Sequence, residues 1–119
     1  MSTTSAAALH RLIVSVSSLP ASLAFYADLL RLRVQNREGP VAWLQTGDGT
    51  VLMLHERPAV PSDAAVAPAF ALAGMDAAVD RWAALGGAVI DPPAEQPWGE
   101  RMAVVRDPDG HVVCLVEQR

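Results

Sequence analysis

Residues 48–56 and 109–117 spell the same phrase. Under a shift of 61 places, Asp48-Gly49-Thr50-Val51-Leu52-Met53-Leu54-His55-Glu56 lies over Asp109-Gly110-His111-Val112-Val113-Cys114-Leu115-Val116-Glu117. The shared pattern D-G-x-V-[LV]-x-L-x-E is a turn feeding a strand. A shift of 56 places lays Leu19, Leu23, Tyr26 and Leu29 over Met75, Val79, Trp82 and Leu85. Both sets follow the i, i+4, i+7, i+10 spacing of one helix face. Self-similarity on this scale means one supersecondary unit built twice. The step from 56 to 61 leaves 61 − 56 = 5 extra residues in the second half, and the Pro/Gly-rich stretch Asp91 to Gly99 is their natural site.

Each half reads as a strand, a helix and three more strands. In the first, strands are expected near 9–16, 32–38, 41–46 and 50–56, with the helix near 19–31. In the second they are expected near 67–72, 87–91, 101–106 and 111–117, with the helix near 74–86. Ser17, Ser18 and Pro20 start the first helix, and Gly86-Gly87 ends the second. The expected fold is α+β, two tandem βαβββ modules in one domain over residues 9–119. Module one takes 9–56, a Pro-rich connector 57–66, and module two 67–117, after a loose tail at 1–8.

Length and charge narrow the function classes. A chain of 119 residues that is 51% hydrophobic and 18% charged suits one ordinary domain. No apolar run reaches the roughly 20 residues of a membrane span. Met1 to Ala8 lacks the basic and apolar regions of a signal peptide, so the expected compartment is the cytoplasm. A net charge of −4 argues against nucleic acid as a partner. The single cysteine, Cys114, excludes an internal disulfide and a cysteine zinc cluster.

Leu9-His10-Arg11-Leu12-Ile13-Val14-Ser15-Val16, then Leu19 and Ser22-Leu23-Ala24-Phe25-Tyr26, resembles the opening strand and helix of the glyoxalase/bleomycin resistance protein/extradiol dioxygenase (vicinal oxygen chelate) superfamily. Gln96 to Arg101, followed by Val105-Arg106-Asp107-Pro108-Asp109-Gly110-His111, is similar to its closing signature. The resemblance runs from Leu9 to nearly the end of the chain. It implies a cup-shaped, eight-stranded incomplete barrel in which two curled halves enclose a cavity, and it implies a homodimer.

Many members of that superfamily hold a divalent metal with four inward His, Gln or Glu side chains. Carried over position by position, the resemblance puts Arg11, Met53, Cys114 and a residue near Ala67 in those places. Such a set does not bind a hard cation, and a guanidinium repels one. The implied branch is therefore metal-free and bleomycin-resistance-like, with no cofactor. A one-residue slip of the first strand would turn His10 inward, but Leu12, Val14 and Val16 would then lose their shared buried face. His10 is expected on the outer or edge side, and His111 at the surface.

Strand alternation then lines the cavity with Arg11, Ile13 and Ser15, with Val51, Met53 and His55, and with Val112, Cys114 and Val116. Val41, Trp43 and Gln45 join from the third strand, where Trp43 is either cavity wall or core. Trp98 either closes over a ligand, anchors its loop or packs in a dimer; Trp82 belongs to the core. Arg11 needs a partner, since an isolated buried cation is costly. That partner is an acidic ligand group, a carboxylate such as Glu100 or Glu56, or water. Cys114 is a small buried residue unless a base activates it, and His55 is the one candidate. The candidate ligand-binding set is Arg11, Ser15, Trp43, Gln45, Met53, His55, Trp98, Arg101 and Cys114, with no catalytic or metal residue assigned. The expected function is metal-independent binding of an aromatic or polycyclic small molecule, such as an antibiotic. The alternatives are a metal-free isomerase or cyclase using Arg11 and His55, and a metal-dependent lyase or dioxygenase.

Overall fold

Leu12, Val14, Val16, Leu52, Leu54, Ala42 and Leu44 alternate with polar or larger neighbours, and that alternation decides how the sheets face. The computed structural model describes residues 6–119, so most of the expected 1–8 tail lies outside the described residues. Strands β1 (Arg11–Val16), β2 (Arg33–Glu38), β3 (Val41–Gln45) and β4 (Val51–Glu56) form a sheet in the order β1-β4-β3-β2. Strands β5 (Ala69–Leu72), β6 (Val89–Glu95), β7 (Arg101–Arg106) and β8 (Val112–Glu117) form a second, ordered β5-β8-β7-β6. In each sheet the first strand runs parallel to the last and the remaining pairs are antiparallel. The fold is α+β, two βαβββ modules whose open sheets do not close into a barrel.

The first helix departs from the single regular helix expected near 19–31. Helix α1 (Leu19–Leu23) is capped by the Ser18 hydroxyl, which accepts from the Ala21 N–H, with Pro20 in its first turn. It continues as a π-helical turn over Ala24–Leu29, where the Leu30 N–H reaches the Phe25 carbonyl. The wider turn brings the adjacent pairs Phe25-Tyr26 and Leu29-Leu30 into the core together. Helix α2 (Met75–Ala84) is regular and ends before Gly86, whose φ of 91° suits only glycine well.

Strand β6 also extends further than its sequence suggests. Pro92 and Pro93, beyond the strand expected near 87–91, lie within β6. Because β6 is an edge strand, paired only to β7, prolines without an N–H are tolerated there; register shifts fall between Val89 and Asp91 and between Asp91 and Ala94. Of the five extra residues of module two, β6 takes one, the β6–β7 turn over 96–100 takes three and β7 takes one.

One hydrophobic core joins both modules. Phe25 meets Tyr26 and Trp82 edge-on, each with ring centroids 4.8 Å apart, and Tyr26 meets Phe70 at 6.2 Å. The Phe25–Trp82 and Tyr26–Phe70 contacts cross from one module to the other. Trp82, expected in the core, also donates its indole N–H to the Arg106 carbonyl at 2.8 Å. With the helix-facing sides of both sheets buried in this core, the opposite sheet faces remain open. No helix among the described residues is long and apolar enough to cross a membrane.

Candidate functional site

The open face of the first sheet is built from in-register rows. Arg11 pairs with Val51, and Val51 with Gln45; Ile13 pairs with Met53, and Met53 with Trp43; Ser15 pairs with His55, and His55 with Val41. Leu12, Val14, Leu52, Leu54, Ala42 and Leu44 point to the core on the other side. The face is apolar with scattered polar groups, and Ile13 on it is 53% exposed.

Arg11 and Trp43 meet at one end of this face. The Arg11 guanidinium carbon lies 5.1 Å from the centroid of the Trp43 ring, a cation–π arrangement. Its Nη2 donates to His10 Nε2 at 3.0 Å. These residues, with Gln35, Asn36 and Val51, line a cavity of about 340 Å³. Sequence reasoning missed Gln35 and Asn36. The register of β2 against β3 shifts between Val34 and Asn36, so two consecutive residues reach the same hollow where regular alternation would deliver one. Nothing in the polar run Arg33 to Glu38 signals a bulge. His10, expected outside, precedes β1 and is drawn to the pocket by Arg11.

The remaining predicted residues divide. Gln45, Met53, His55 and Ser15 share the open face, although the Ser15 hydroxyl already accepts from Arg57 Nε at 2.7 Å. Cys114 lies on the open face of the second sheet between Ala69 and Val104, neither of them a base. Trp98 sits in the β6–β7 turn, 64% exposed, and donates to Glu100 Oε1 at 2.7 Å. Arg101 shares the core side of β7 with Ala103 and Val105, and binds Asp76 through Nε at 3.0 Å and Nη2 at 2.7 Å. Neither carboxylate expected near Arg11 is there: Glu100 holds Trp98, and Glu56 Oε2 accepts from the Leu19 N–H at 2.8 Å. A larger hollow of about 700 Å³ opens between the modules beside Leu12, Leu32 and Phe70, but none of the predicted site residues lines it.

The family's metal positions do not fit a metal. Arg11 and Ala67 offer no ligand atom for a cation, while Met53 and Cys114 offer only sulfur. Among the described residues, one group of potential ligands clusters within 4.8 Å, namely Asp107, Asp109 and His111 in the β7–β8 turn. Its ligand atoms are already in use. Asp107 Oδ2 accepts from the Tyr26 hydroxyl at 2.7 Å, and Oδ1 from the Asp109 and His111 N–H groups, both at 2.9 Å. Asp109 accepts from the Ser17 N–H and hydroxyl. His111, expected at the surface, is half-buried; Nδ1 accepts from the Ser62 N–H at 3.2 Å and Nε2 meets the Ser15 carbonyl at 2.7 Å. The turn is a latch between module two, the connector and the end of β1. A cation held by all three would have to displace a His111 hydrogen bond, since both ring nitrogens are engaged.

Burial, followed by the negative charge of Asp107, pushes the Tyr26 phenol well above its ordinary value of 10.0. This hydroxyl stays a donor across the neutral range and serves the latch.

The model of the Glyoxalase/Bleomycin resistance protein/Dioxygenase superfamily matches residues 8–115. No curated protein matches the sequence. Among solved structures, a protein of unknown function from Agrobacterium tumefaciens str. C58 is 24% identical over 98% of both chains, with a TM-score of 0.77. A glyoxalase/dioxygenase from Nostoc punctiforme is 24% identical over 99% of both chains, at 0.76. A superfamily member from Sphaerobacter thermophilus DSM 20745 is 23% identical over 95% of this chain and 98% of that one, at 0.70. At these identities the likeness speaks for the fold alone.

Proposed function

The chain belongs to the Glyoxalase/Bleomycin resistance protein/Dioxygenase superfamily, and from that premise we propose that it binds an aromatic small molecule, without a resident metal, on the Arg11–Trp43 face. The observation that carries this reading is the cavity of about 340 Å³ that joins Arg11, Trp43 and Val51 to the polar groups of β2. It has the make-up of a small-ligand site, an apolar and aromatic wall with a few orienting polar atoms. Stacking against Trp43 would add about 0.5–1.5 kcal/mol beyond area burial.

Two rival readings find less support. A metal-dependent lyase or dioxygenase needs oxygen or imidazole donors where this chain has Arg11, Met53, Ala67 and Cys114. An isomerase using Arg11 with His55 needs both groups at one substrate atom. His55 pairs with Ser15, four residues along β1 from Arg11, which separates the two rows by about 13 Å at strand rise. Sequestration is the remaining mode, and a second copy of the chain covering the open apolar faces would complete a homodimer.

The test is titration of tryptophan fluorescence with a panel of aromatic and polycyclic compounds, antibiotics included, in wild type and Trp43→Phe. Saturable quenching that Trp43→Phe abolishes, with the compound recovered unchanged, supports the proposal. A flat response across the panel removes it, and chemically altered compound would restore an enzyme.

A further inference from the structure

We propose that the compound held on this face is an aromatic acid whose carboxylate is bound by Arg11, with Asn36 and His10 as further donors; this rests on the binding reading above. Arg11 is the starting point. The ion pairs among the described residues are Arg101–Asp76 and Arg119–Glu95, and Arg11 belongs to neither. One of its N–H groups goes to His10 and one face of its plane to Trp43. A guanidinium carries five donors in a planar fork, so several remain for an acceptor that the described residues do not supply.

The pocket walls are biased the same way. None of its lining residues His10, Arg11, Gln35, Asn36, Trp43 and Val51 is acidic, in a chain whose net charge is −4. His10 accepts from Arg11 at Nε2, which leaves its proton on Nδ1 as a donor. Asn36 Oδ1 accepts from the Arg37 N–H at 2.8 Å, so its amide nitrogen is the end left over. Gln35 donates to Gln45 Oε1 at 3.1 Å, and Gln45 in turn donates to the Gly49 carbonyl at 3.4 Å. That amide chain holds the bulged strand in place beside Trp43.

A donor-rich rim around an indole ring selects a flat molecule with an acceptor-only group at its edge. The guanidinium fork matches a carboxylate in two parallel bonds. At about 340 Å³ the hollow is near the lower end of ligand pockets, which suits one or two fused rings. A neutral carboxamide keeps one acceptor oxygen but sets an NH2 against the other arm of the fork, and that asymmetry makes the inference testable.

Calorimetric titration of the full chain with 2-naphthoate and with 2-naphthamide compares the same ring with and without the charge. Wild type should bind the acid about tenfold more tightly than the amide, as one charge-assisted hydrogen bond predicts. Arg11→Met keeps an apolar stem over Trp43 and should remove that preference by weakening the acid about tenfold more than the amide. Asn36→Ala should weaken the acid several-fold and the amide less. Equal affinities in wild type, or a preference that survives Arg11→Met, would overturn the inference while the binding reading stands. If neither naphthalene binds but neutral compounds of the panel quench Trp43, the acid falls and binding survives. Silence from both naphthalenes and the whole panel ends both. The wild-type comparison needs no variant, so a failure of Arg11→Met to fold leaves it decisive.

Discussion

Glu56 and Glu117 occupy the same place in the two modules and do the same job. Glu56 accepts the Leu19 N–H that opens α1, and Glu117 accepts the Gly74 and Met75 N–H groups at 3.0 and 3.1 Å, opening α2. Each last strand thus reaches across to start its own helix. The open faces have diverged. Module one carries Arg11, Trp43 and a bulged β2; module two offers Ala69, Cys114, Val104 and Met102. Module two's polar chemistry lies elsewhere, in the Asp107 latch and the Arg101–Asp76 pair. A duplicated skeleton has been kept while one copy carries the face proposed to bind a ligand and the other does the fastening.

If module two fastens, breaking its latch should have the largest effect of all. Asp107→Ala leaves the Tyr26 hydroxyl and two turn N–H groups without an acceptor in a site where Asp107 is only 4% exposed. The expected loss is about 3–5 kcal/mol, read as a drop in Tm and in the urea midpoint. The same contact predicts a pH dependence. Because the folded state raises the phenol above its ordinary 10.0, Tyr26 supports stability below that pH. The support fades as pH rises past the unfolded value toward the folded one. Tyr26 is the only tyrosine, so tyrosinate absorbance should appear only with unfolding. Tyr26→Phe should flatten the alkaline fall in Tm; an unchanged alkaline limb would place the sensitivity elsewhere.

The modules also differ in how tightly their glycines are packed, as Gly87 just after α2 and Gly39 in the β2–β3 turn show. A Cβ added to Gly87 would sit 2.1 Å from the Trp82 ring, which is pinned by Phe25 and the Arg106 carbonyl. Gly87→Ala should therefore cost about 1–3 kcal/mol. Gly39 has open space around its Cβ position, so any loss in Gly39→Ala should come from its φ of 55° alone. Equal losses at both sites would mean that Trp82 yields freely.

These contrasts also mark what the sequence could reveal. The repeated D-G-x-V-[LV]-x-L-x-E phrase and the strand alternation carried enough information for the modules, the helix starts and the facing of β1 and β4. The bulge at Gln35 was hidden because Arg33 to Glu38 has no apolar alternation to slip against. The extent of β6 was hidden because Pro92-Pro93 reads as a breaker unless the strand is known to lie at an edge. Asp107 and His111 looked like turn and surface residues because Tyr26, Ser15 and Ser62, their partners, are 49 to 96 residues away. The partner of Arg11 could not be read because Glu56 belongs to a helix start.

A smaller effect tests the shared skeleton. Glu117→Gln should destabilise by about 1 kcal/mol and Glu56→Gln by less, since the first carboxylate accepts two helix N–H groups and the second one. Thermal melts of both variants and the double substitution check the order. A reversed order would show that the two caps are not equivalent devices.

Arg101 provides the finest test, because the sequence offered it for ligand contact and the structure ties it to Asp76. Their side chains are 31% and 50% exposed, so the pair is screened by solvent and Arg101→Gln should barely move Tm. Hydrogen bonding to Arg101 is the main reason the Asp76 carboxyl is held below its usual range. The pair's small contribution is therefore present at neutral pH and is lost as pH falls through the lowered value. The wild-type advantage over Arg101→Gln should vanish on acidification, and it should shrink with added salt. Affinity for the ligand of the Arg11–Trp43 face should be unchanged. A clear loss of affinity would mean that the core-side edge of β7 reaches the binding surface, and the division of labour between the modules would fail.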